Sequence, residues 1–204
     1  MITAEGGPQT VKFIHSLGGR VFYDGKFDDI PNTIGRATKV VAGLGVDMFN
    51  LHASASIDAM MEAVANKGDS ICLVVTELTS IDEEDSSLIF GLPSKAKVLQ
   101  FARDAKLAGC DGIICSPQEL QLFSKHKELS GLRKYTPGVR PEWAPANDQK
   151  RHMTPGEAIK AGATGVIIGR PITDPPEKIG TPVDAVKKID REIQIAMEGK
   201  NERN

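Results

Sequence analysis

Three charged residues near the start of the chain, Asp24, Lys26 and Asp29, have the types and spacing of a proton-transfer site. Alternation along a strand places Asp24 and Lys26 on one face, where the carboxylate keeps the lysine protonated and ready to donate a proton. Asp29, beyond the strand end, is expected either to engage the same lysine or to reach into a neighbouring subunit. A solvated ion-pair patch is the commonest explanation of a charged cluster, but the flanking elements favour chemistry.

Those flanking elements are a strand and a helix. Val21-Phe22-Tyr23 supplies β-branched and aromatic strand formers, and Pro31-Asn32 predicts a turn followed by a helix. The charges therefore lie on a loop at the C-terminal end of a strand, which is where α/β folds carry their catalytic residues.

A second polar segment begins at Arg140 and runs through Gln149 to His152. Because this connection is longer than ordinary strand-to-helix loops, we interpret it as a mobile lid rather than a disordered excursion. Its arginine and glutamine are suitable donors to an anion. Farther along, Gly169 lets backbone amides approach a phosphate and Arg170 can clamp it. A phosphate site after the last two strands is a recurrent feature of eight-stranded barrels.

Two further strand ends carry polar side chains. His52 either donates to a substrate or satisfies a buried hydrogen bond, and the structural role is favoured. Thr76 and Thr79 offer hydroxyls that could contact a polar ring, although Thr79 and Ser80 suit the cap of the next helix equally well. The remaining histidines lack metal-ligand spacing, so no metal site is expected.

Short apolar runs alternate with helical stretches, as in strand–helix–strand crossovers of a parallel sheet. The six predicted strands are Val21 to Tyr23, Met48 to Leu51, Ile71 to Val75, Gly112 to Cys115, Tyr135 to Val139, and Gly165 to Ile168. Polar groups follow many strands, and no glycine-rich phosphate loop opens the first helix. Both observations favour a (β/α)8 barrel over an open doubly wound sheet. Six strands are two fewer than a closed barrel needs, and a predicted helix from Thr3 to His15 opens the chain.

Composition excludes several other classes of protein. The 204 residues are 40% hydrophobic and 25% charged with a net charge of −2, which suits one globular core and gives no bias towards nucleic acid. Cys72, Cys110 and Cys115 form no closely spaced pair, so reduced thiols are expected. No run reaches the roughly 20 apolar residues that span a bilayer, and no signal pattern opens the chain. We therefore expect a soluble, cytoplasmic protein.

Taken together, these motifs resemble the orotidine 5′-phosphate decarboxylase family, in its short bacterial form. The matching segments are Asp24-x-Lys26-x-x-Asp29-Ile30-Pro31-Asn32-Thr33, Leu51-His52-Ala53-Ser54, Leu78-Thr79-Ser80, Thr136-Pro137-Gly138-Val139-Arg140, Asp148-Gln149 and Gly169-Arg170-Pro171. The likeness extends from the first helix to the last strand. It implies a homodimer of (β/α)8 barrels that converts orotidine 5′-monophosphate to uridine 5′-monophosphate with neither a metal nor an organic cofactor.

The resemblance also implies roles for the residues of the first motif. Lys26 would donate a proton to C6 of the pyrimidine as carbon dioxide leaves. Asp24 would lie against the substrate carboxylate and disfavour the ground state electrostatically. Asp29 would cross the dimer interface to the partner's site, with Ile30 and Thr33 beside it.

The later motifs receive binding roles by the same resemblance. Thr79 would contact the pyrimidine ring. Arg140, Gln149, Gly169 and Arg170 would hold the phosphate. Binding energy from this remote group can close the lid and stabilise the transition state, which suits a reaction without a cofactor.

The sequence departs from the family pattern in its first part. The family has two further strands before the helix at Thr3, which carry a ribose-binding aspartate and the lysine that completes a Lys-Asp-Lys-Asp charge network. We therefore expect residues 1–204 to form one N-terminally incomplete barrel domain. Gly25 replaces the usual apolar residue, and Ala55-Ser56 stands where the family commonly has two glycines. Both changes are expected to loosen local packing.

Two alternative functions stay open at this point. A sugar-phosphate decarboxylase or hexulose-phosphate synthase of the same suprafamily shares the Asp-x-Lys-x-x-Asp strand but uses a metal ion. The Ile30-Pro31-Asn32-Thr33 segment and the lid from Arg140 to Gln149 argue against it. The other alternative is an inactive protein that still binds nucleotide phosphate through Arg140, Gln149 and Arg170.

Overall fold

A computed structural model describes residues 7–145 and 153–201. The strands there are β1 (Phe22–Phe27), β2 (Met48–His52), β3 (Ile71–Val75), β4 (Gly112–Ile114), β5 (Arg133–Thr136) and β6 (Gly165–Val166). The α-helices are α1 (Gly7–Ser16), α2 (Pro31–Gly43), α3 (Ile57–Asn66), α4 (Glu83–Phe90), α5 (Ser94–Leu107), α6 (Leu120–Ser124), α7 (Pro155–Lys160), α8 (Arg170–Thr173) and α9 (Pro182–Asn201). Short 3-10 turns cover Ala53–Ala55, Pro117–Glu119 and Lys127–Leu129.

The chain divides into two compact units. The first comprises Met1–Glu77 and Ala96–Ile113, and the second comprises Leu78–Lys95 and Ile114–Asn204. Among the helices of the described ranges, none is long and apolar enough to cross a membrane.

In the first unit, β1, β2 and β3 lie side by side in parallel and in chain order. The register aligns Phe22 with Met48 and Met48 with Ile71. The core side chains Phe49, Leu51, Leu73, Val74, Ile34 and Met60 have 0% of their surface exposed. Burying each large apolar side chain contributes about 1.5–3 kcal/mol, so this core holds the strand ends in place.

In the second unit, β5 and β6 pair in parallel, with Tyr135 opposite Gly165. Thr154 and Glu157 form a capping box at the start of α7, which satisfies two backbone amides there. The amide of Gly156 donates to Oε1 of Glu192 on α9 at 2.8 Å, so α7 is tied to the last helix. The core of this unit includes the buried side chains Leu120, Phe123, Leu129, Ile159, Ala185 and Ile189.

Each predicted strand has a counterpart in the structure. β3 has the predicted ends, and the other five strands differ from the prediction at one or both ends. β1 continues to Phe27, well past the apolar run that predicted it. β5 ends at Thr136 because Pro137 has no amide to give to a ladder, and Val139 forms only an isolated bridge with Met153. The predicted first helix is observed as α1 from Gly7, and residues 3–6 of the prediction lie outside the described ranges.

Helix α4 corrects one expectation. Its N-cap is Asp82, whose side chain accepts the amides of Glu84 and Asp85. Thr79 and Ser80, which the sequence made equal candidates for this cap, lie in the exposed turn before it. A carboxylate here also interacts favourably with the helix dipole.

The three cysteines are buried and free, as expected. A hydrogen bond to Cys110 and burial raise the pKa of the Cys72 thiol. Burial likewise raises the pKa of Cys115 well above its ordinary value. The thiols of Cys72 and Cys115 therefore stay protonated and unreactive at neutral pH.

Candidate active site

The end of β1 carries an ion pair between the two residues that the sequence placed on one face. Nζ of Lys26 lies 2.6 Å from Oδ2 of Asp24. Their side chains are 43% and 56% exposed, respectively. An exposed pair of this kind contributes at most about 1 kcal/mol to stability, so it does little to hold the fold together.

A buried amide on the neighbouring strand supports this pair, and the sequence interpretation missed it. Nδ2 of Asn50 donates to Oδ1 of Asp24 at 2.7 Å, and the backbone amide of Lys26 donates to Oδ1 of Asn50 at 2.7 Å. Asn50 is completely buried. A polar residue between the apolar Phe49 and Leu51 was the signal that could have identified it.

The backbone at Lys26 adopts an unusual conformation, with φ of 48°. This left-handed region costs a residue with a side chain about 1–2 kcal/mol. Such conformations persist where surrounding contacts hold them, and they cluster at functional sites. The strained residue here is the proposed proton donor itself.

Asp29 and Asp28 have other partners. Oδ1 of Asp29 accepts the backbone amide of Ile30 at 2.7 Å, next to the start of α2. Oδ2 of Asp28 accepts from Oγ of Ser54 at 3.2 Å. In the described contacts the Lys26 ammonium is thus bound by Asp24 and not by Asp29. Ile30 is 65% exposed.

His52 ends β2 on the same side of the first unit. Burial lowers its pKa, the positive charge of Lys26 acts in the same direction, and the negative charges of Asp28 and Asp24 oppose the shift. The imidazole is therefore neutral at physiological pH. It adds no positive charge beside the Lys26 ammonium.

The second unit holds the candidate anion-binding residues. Arg140 is only 5% exposed. Its Nη1 donates to the carbonyl of Pro145 at 2.7 Å, and its amide donates to the carbonyl of Met153 at 3.0 Å. Gly169 and Arg170 are exposed at the start of α8. Gln149 lies outside the described residues.

Thr79 lies in an exposed turn that follows β3. The amide of Ile81 closes this turn on the carbonyl of Leu78 at 2.9 Å. The hydroxyl of Thr79 is therefore not committed to capping α4. It is available for the pyrimidine contact that the resemblance implies.

Comparison with known proteins decides the family. Residues 1–189 match the sequence model of the orotidine 5′-phosphate decarboxylase / HUMPS family. The chain belongs to this family. The orotidine 5′-phosphate decarboxylase of Geobacter sp. (strain M21) is 45% identical over 199 residues, which are 92% of this chain and 80% of the relative. That of Syntrophomonas wolfei is 40% identical over 202 residues, 92% of this chain and 82% of the relative.

Solved structures confirm the fold class expected for a member of the decarboxylase family. A crystal structure of orotidine 5′-phosphate decarboxylase from Lactobacillus acidophilus matches with a TM-score of 0.75 at 31% identity, over 92% of this chain and 81% of that one. The Pyrococcus horikoshii OT3 enzyme matches with a TM-score of 0.71 at 23% identity, over 93% and 81%, and supports the fold alone. The six described strands are therefore those of the (β/α)8-barrel type.

Proposed function

We propose that this chain decarboxylates orotidine 5′-monophosphate to uridine 5′-monophosphate in pyrimidine biosynthesis, with Lys26 as the proton donor. The observation that carries the proposal is the Lys26–Asp24 pair at 2.6 Å, in a chain 45% identical to a protein named for this activity. The paired carboxylate favours the charged ammonium, which is the form that can give up a proton.

The proposed reaction replaces the carbon–carbon bond at C6 of the pyrimidine by a carbon–hydrogen bond. The bond between C6 and the carboxylate breaks, carbon dioxide leaves, and the electron pair remains at C6. Lys26 transfers a proton from Nζ to C6, which completes uridine 5′-monophosphate. The negative charge of Asp24 repels the substrate carboxylate before the step and stabilises the Lys26 ammonium until its proton passes to C6. No organic cofactor or metal is assigned to this reaction.

Substrate binding is assigned to the second unit. Arg140, Gln149, Gly169 and Arg170 would bind the 5′-phosphate, and Thr79 would contact the pyrimidine ring. The burial of Arg140 supports its role, because a fixed guanidinium loses little freedom when an anion binds.

A homodimer is also part of the proposal. Asp29 would reach the partner's site, with Ile30 and Thr33 at the interface. The exposed side chain of Ile30 supports this assignment, because burying its apolar surface under a second subunit is favourable. The free thiols support a cytoplasmic location.

The test is turnover of orotidine 5′-monophosphate by the purified chain, followed as formation of uridine 5′-monophosphate. Lys26→Ala should lower kcat by about 100-fold to 10,000-fold, the usual contribution of a positioned acid. Lys39→Ala removes an exposed lysine on α2 and is the matched control, with unchanged kcat. Full activity of Lys26→Ala would refute the assignment.

The family description also names HUMPS, so hexulose-phosphate synthesis is the second candidate function. That activity would be detected as an aldol reaction of a sugar phosphate, and a chelator would abolish the reaction. Binding of uridine 5′-monophosphate by the wild-type chain without any turnover would instead identify an inactive nucleotide-binding protein.

A further inference from the structure

Asn50 is a buried residue whose side-chain amide forms hydrogen bonds with the charged end of β1. It has 0% exposure and lies between the buried Phe49 and Leu51. Burying an amide is unfavourable unless its polar atoms find partners. Both polar atoms of Asn50 have one, and both partners belong to the Asp24–Lys26 pair.

The register of β1 against β2 explains why an amide is needed there. Tyr23 aligns with Phe49 and Phe27 aligns with Leu51, so the three residues 24–26 lie opposite Asn50 alone. A bulge of this kind disrupts the regular backbone ladder and re-aims side chains. Within the bulge, the side chain of Asn50 takes the amide of Lys26 in place of a backbone carbonyl.

The orientation of the amide follows from its partners. A backbone N–H can only donate, so the oxygen of Asn50 faces Lys26 and its NH2 group faces Asp24. The two carboxylate oxygens of Asp24 are then divided, with Oδ1 on Asn50 and Oδ2 on Lys26. One side chain thereby fixes both the backbone of the proton donor and the rotation of its partner carboxylate.

We propose that Asn50 is a positioning residue of the decarboxylase site, which holds Lys26 in its left-handed conformation and aims the Asp24 carboxylate at the Lys26 ammonium. The inference rests on the proposed function. The side chain at this position must accept a hydrogen bond from the Lys26 amide and donate one to the Asp24 carboxylate, so it needs both an acceptor and a donor. A carboxylate could accept from Lys26 but would repel Asp24, and an apolar side chain would leave both groups unpaired.

Two substitutions of similar size test the proposal in the full chain. Asn50→Asp keeps the acceptor and replaces the donor by a charge, and Asn50→Leu removes both. Each should lower kcat for orotidine 5′-monophosphate by about 100-fold, the cost of a small misplacement of a catalytic group. The affinity for uridine 5′-monophosphate should stay unchanged, because phosphate binding is assigned to other residues.

The pH profile separates positioning from a general loss of structure. A carboxyl group introduced by Asn50→Asp can share a proton with Asp24 at low pH and then donate as the amide does. The activity of Asn50→Asp relative to wild type should therefore rise as the pH falls, while that of Asn50→Leu should not. Ser70→Ala is the matched control, because it removes another buried hydrogen bond, to the carbonyl of Val46, outside the site. It should lower stability and leave kcat unchanged.

A second measurement keeps the inference separate from the proposed function. Hydrogen exchange by NMR should show the Lys26 amide protected in the wild type and at least about tenfold less protected in Asn50→Leu, with β3 amides unaffected. If the wild-type chain turns over substrate, kcat of both Asn50 variants within about threefold of wild type would overturn the proposal. If the wild type shows no turnover, the proposed function fails. In that case retained protection of the Lys26 amide overturns the positioning of Lys26, and lost protection supports it.

Discussion

The aromatic rings of Tyr23 and Phe27 lie 6.2 Å apart, centroid to centroid, and together they occupy the space beside Gly25. A Cβ added to Gly25 would lie 2.8 Å from Cε1 of Tyr23 and 2.9 Å from Cε1 of Phe27. The sequence led us to expect looser packing at this glycine. The structure shows the opposite, because the two rings fill the volume that a larger side chain would take.

Gly25→Ala should therefore destabilise the protein, by about 1–3 kcal/mol, since both rings must move to admit one methyl group. The measurement is the free energy of unfolding in urea. Gly43→Ala, at the end of α2, is the control because nothing lies within 4 Å of its added Cβ. That substitution should be neutral or stabilise by up to about 1 kcal/mol. Equal effects of the two variants would contradict the packing argument.

His52 should make stability depend on pH. Burial lowers the pKa of the folded imidazole, while the unfolded chain keeps the ordinary value of 6.5. As the pH falls below that value, the unfolded state takes up the proton first, so the folded state loses stability. Between pH 7.5 and 5.5, wild type should lose up to about 1 kcal/mol more than His52→Gln.

The urea midpoints of wild type, His52→Gln and Lys39→Ala at several pH values measure this difference. Lys39→Ala should follow the wild-type slope. A His52→Gln slope as steep as that of wild type would show that the imidazole does not contribute.

The two arginines assigned to the phosphate should differ in their structural roles. Arg140 is buried and bonded to the carbonyl of Pro145, so Arg140→Ala should raise KM and lower the free energy of unfolding by about 1–3 kcal/mol. Arg170 is exposed, so Arg170→Ala should raise KM by about tenfold or more with little change in stability. Steady-state kinetics and urea unfolding distinguish the two.

Arg191→Ala, an exposed arginine on α9, controls for the general loss of a positive charge. Its KM should equal that of wild type. Arg170→Ala with a wild-type KM would remove Arg170 from the proposed phosphate site.

Subunit mixing tests whether Asp29 acts across a dimer interface. Lys26→Ala and Asp29→Ala should each be inactive alone. A hybrid dimer of the two contains one site with Lys26 from one subunit and Asp29 from the other. Unfolding and refolding an equal mixture should therefore restore about one quarter of wild-type activity, since half the dimers are hybrids with one intact site each.

The control for this experiment is a mixture of Lys26→Ala with Asp24→Ala. In the proposal, each site takes both Lys26 and Asp24 from the same subunit. That mixture should stay inactive, because the Asp24–Lys26 pair belongs to one chain and every site of every dimer then lacks one member of the pair. Recovery in this control, or none in the first mixture, would refute the assignment of Asp29 to the partner's site.

Local sequence was enough to predict the strands and the charged pair. Alternation along a strand brings residues two apart to one face, so Asp24 and Lys26 could be paired from spacing alone. It did not predict how far β1 extends, because residues 24–26 are polar and depend on the amide of Asn50 on the next strand. Nor did it find the cap of α4, where Asp82 rather than an earlier hydroxyl accepts the amides.

The sequence by itself determined which family the chain resembles, because the order and spacing of motifs can be read from the linear chain without its fold. Only the tertiary structure decided that Asn50 holds the bulge at Lys26 and that Gly25 makes room for Tyr23 and Phe27. Those relationships depend on the register between strands and on the volume that rings fill. Residues 24 apart in the chain come into contact only when buried strands fix that register.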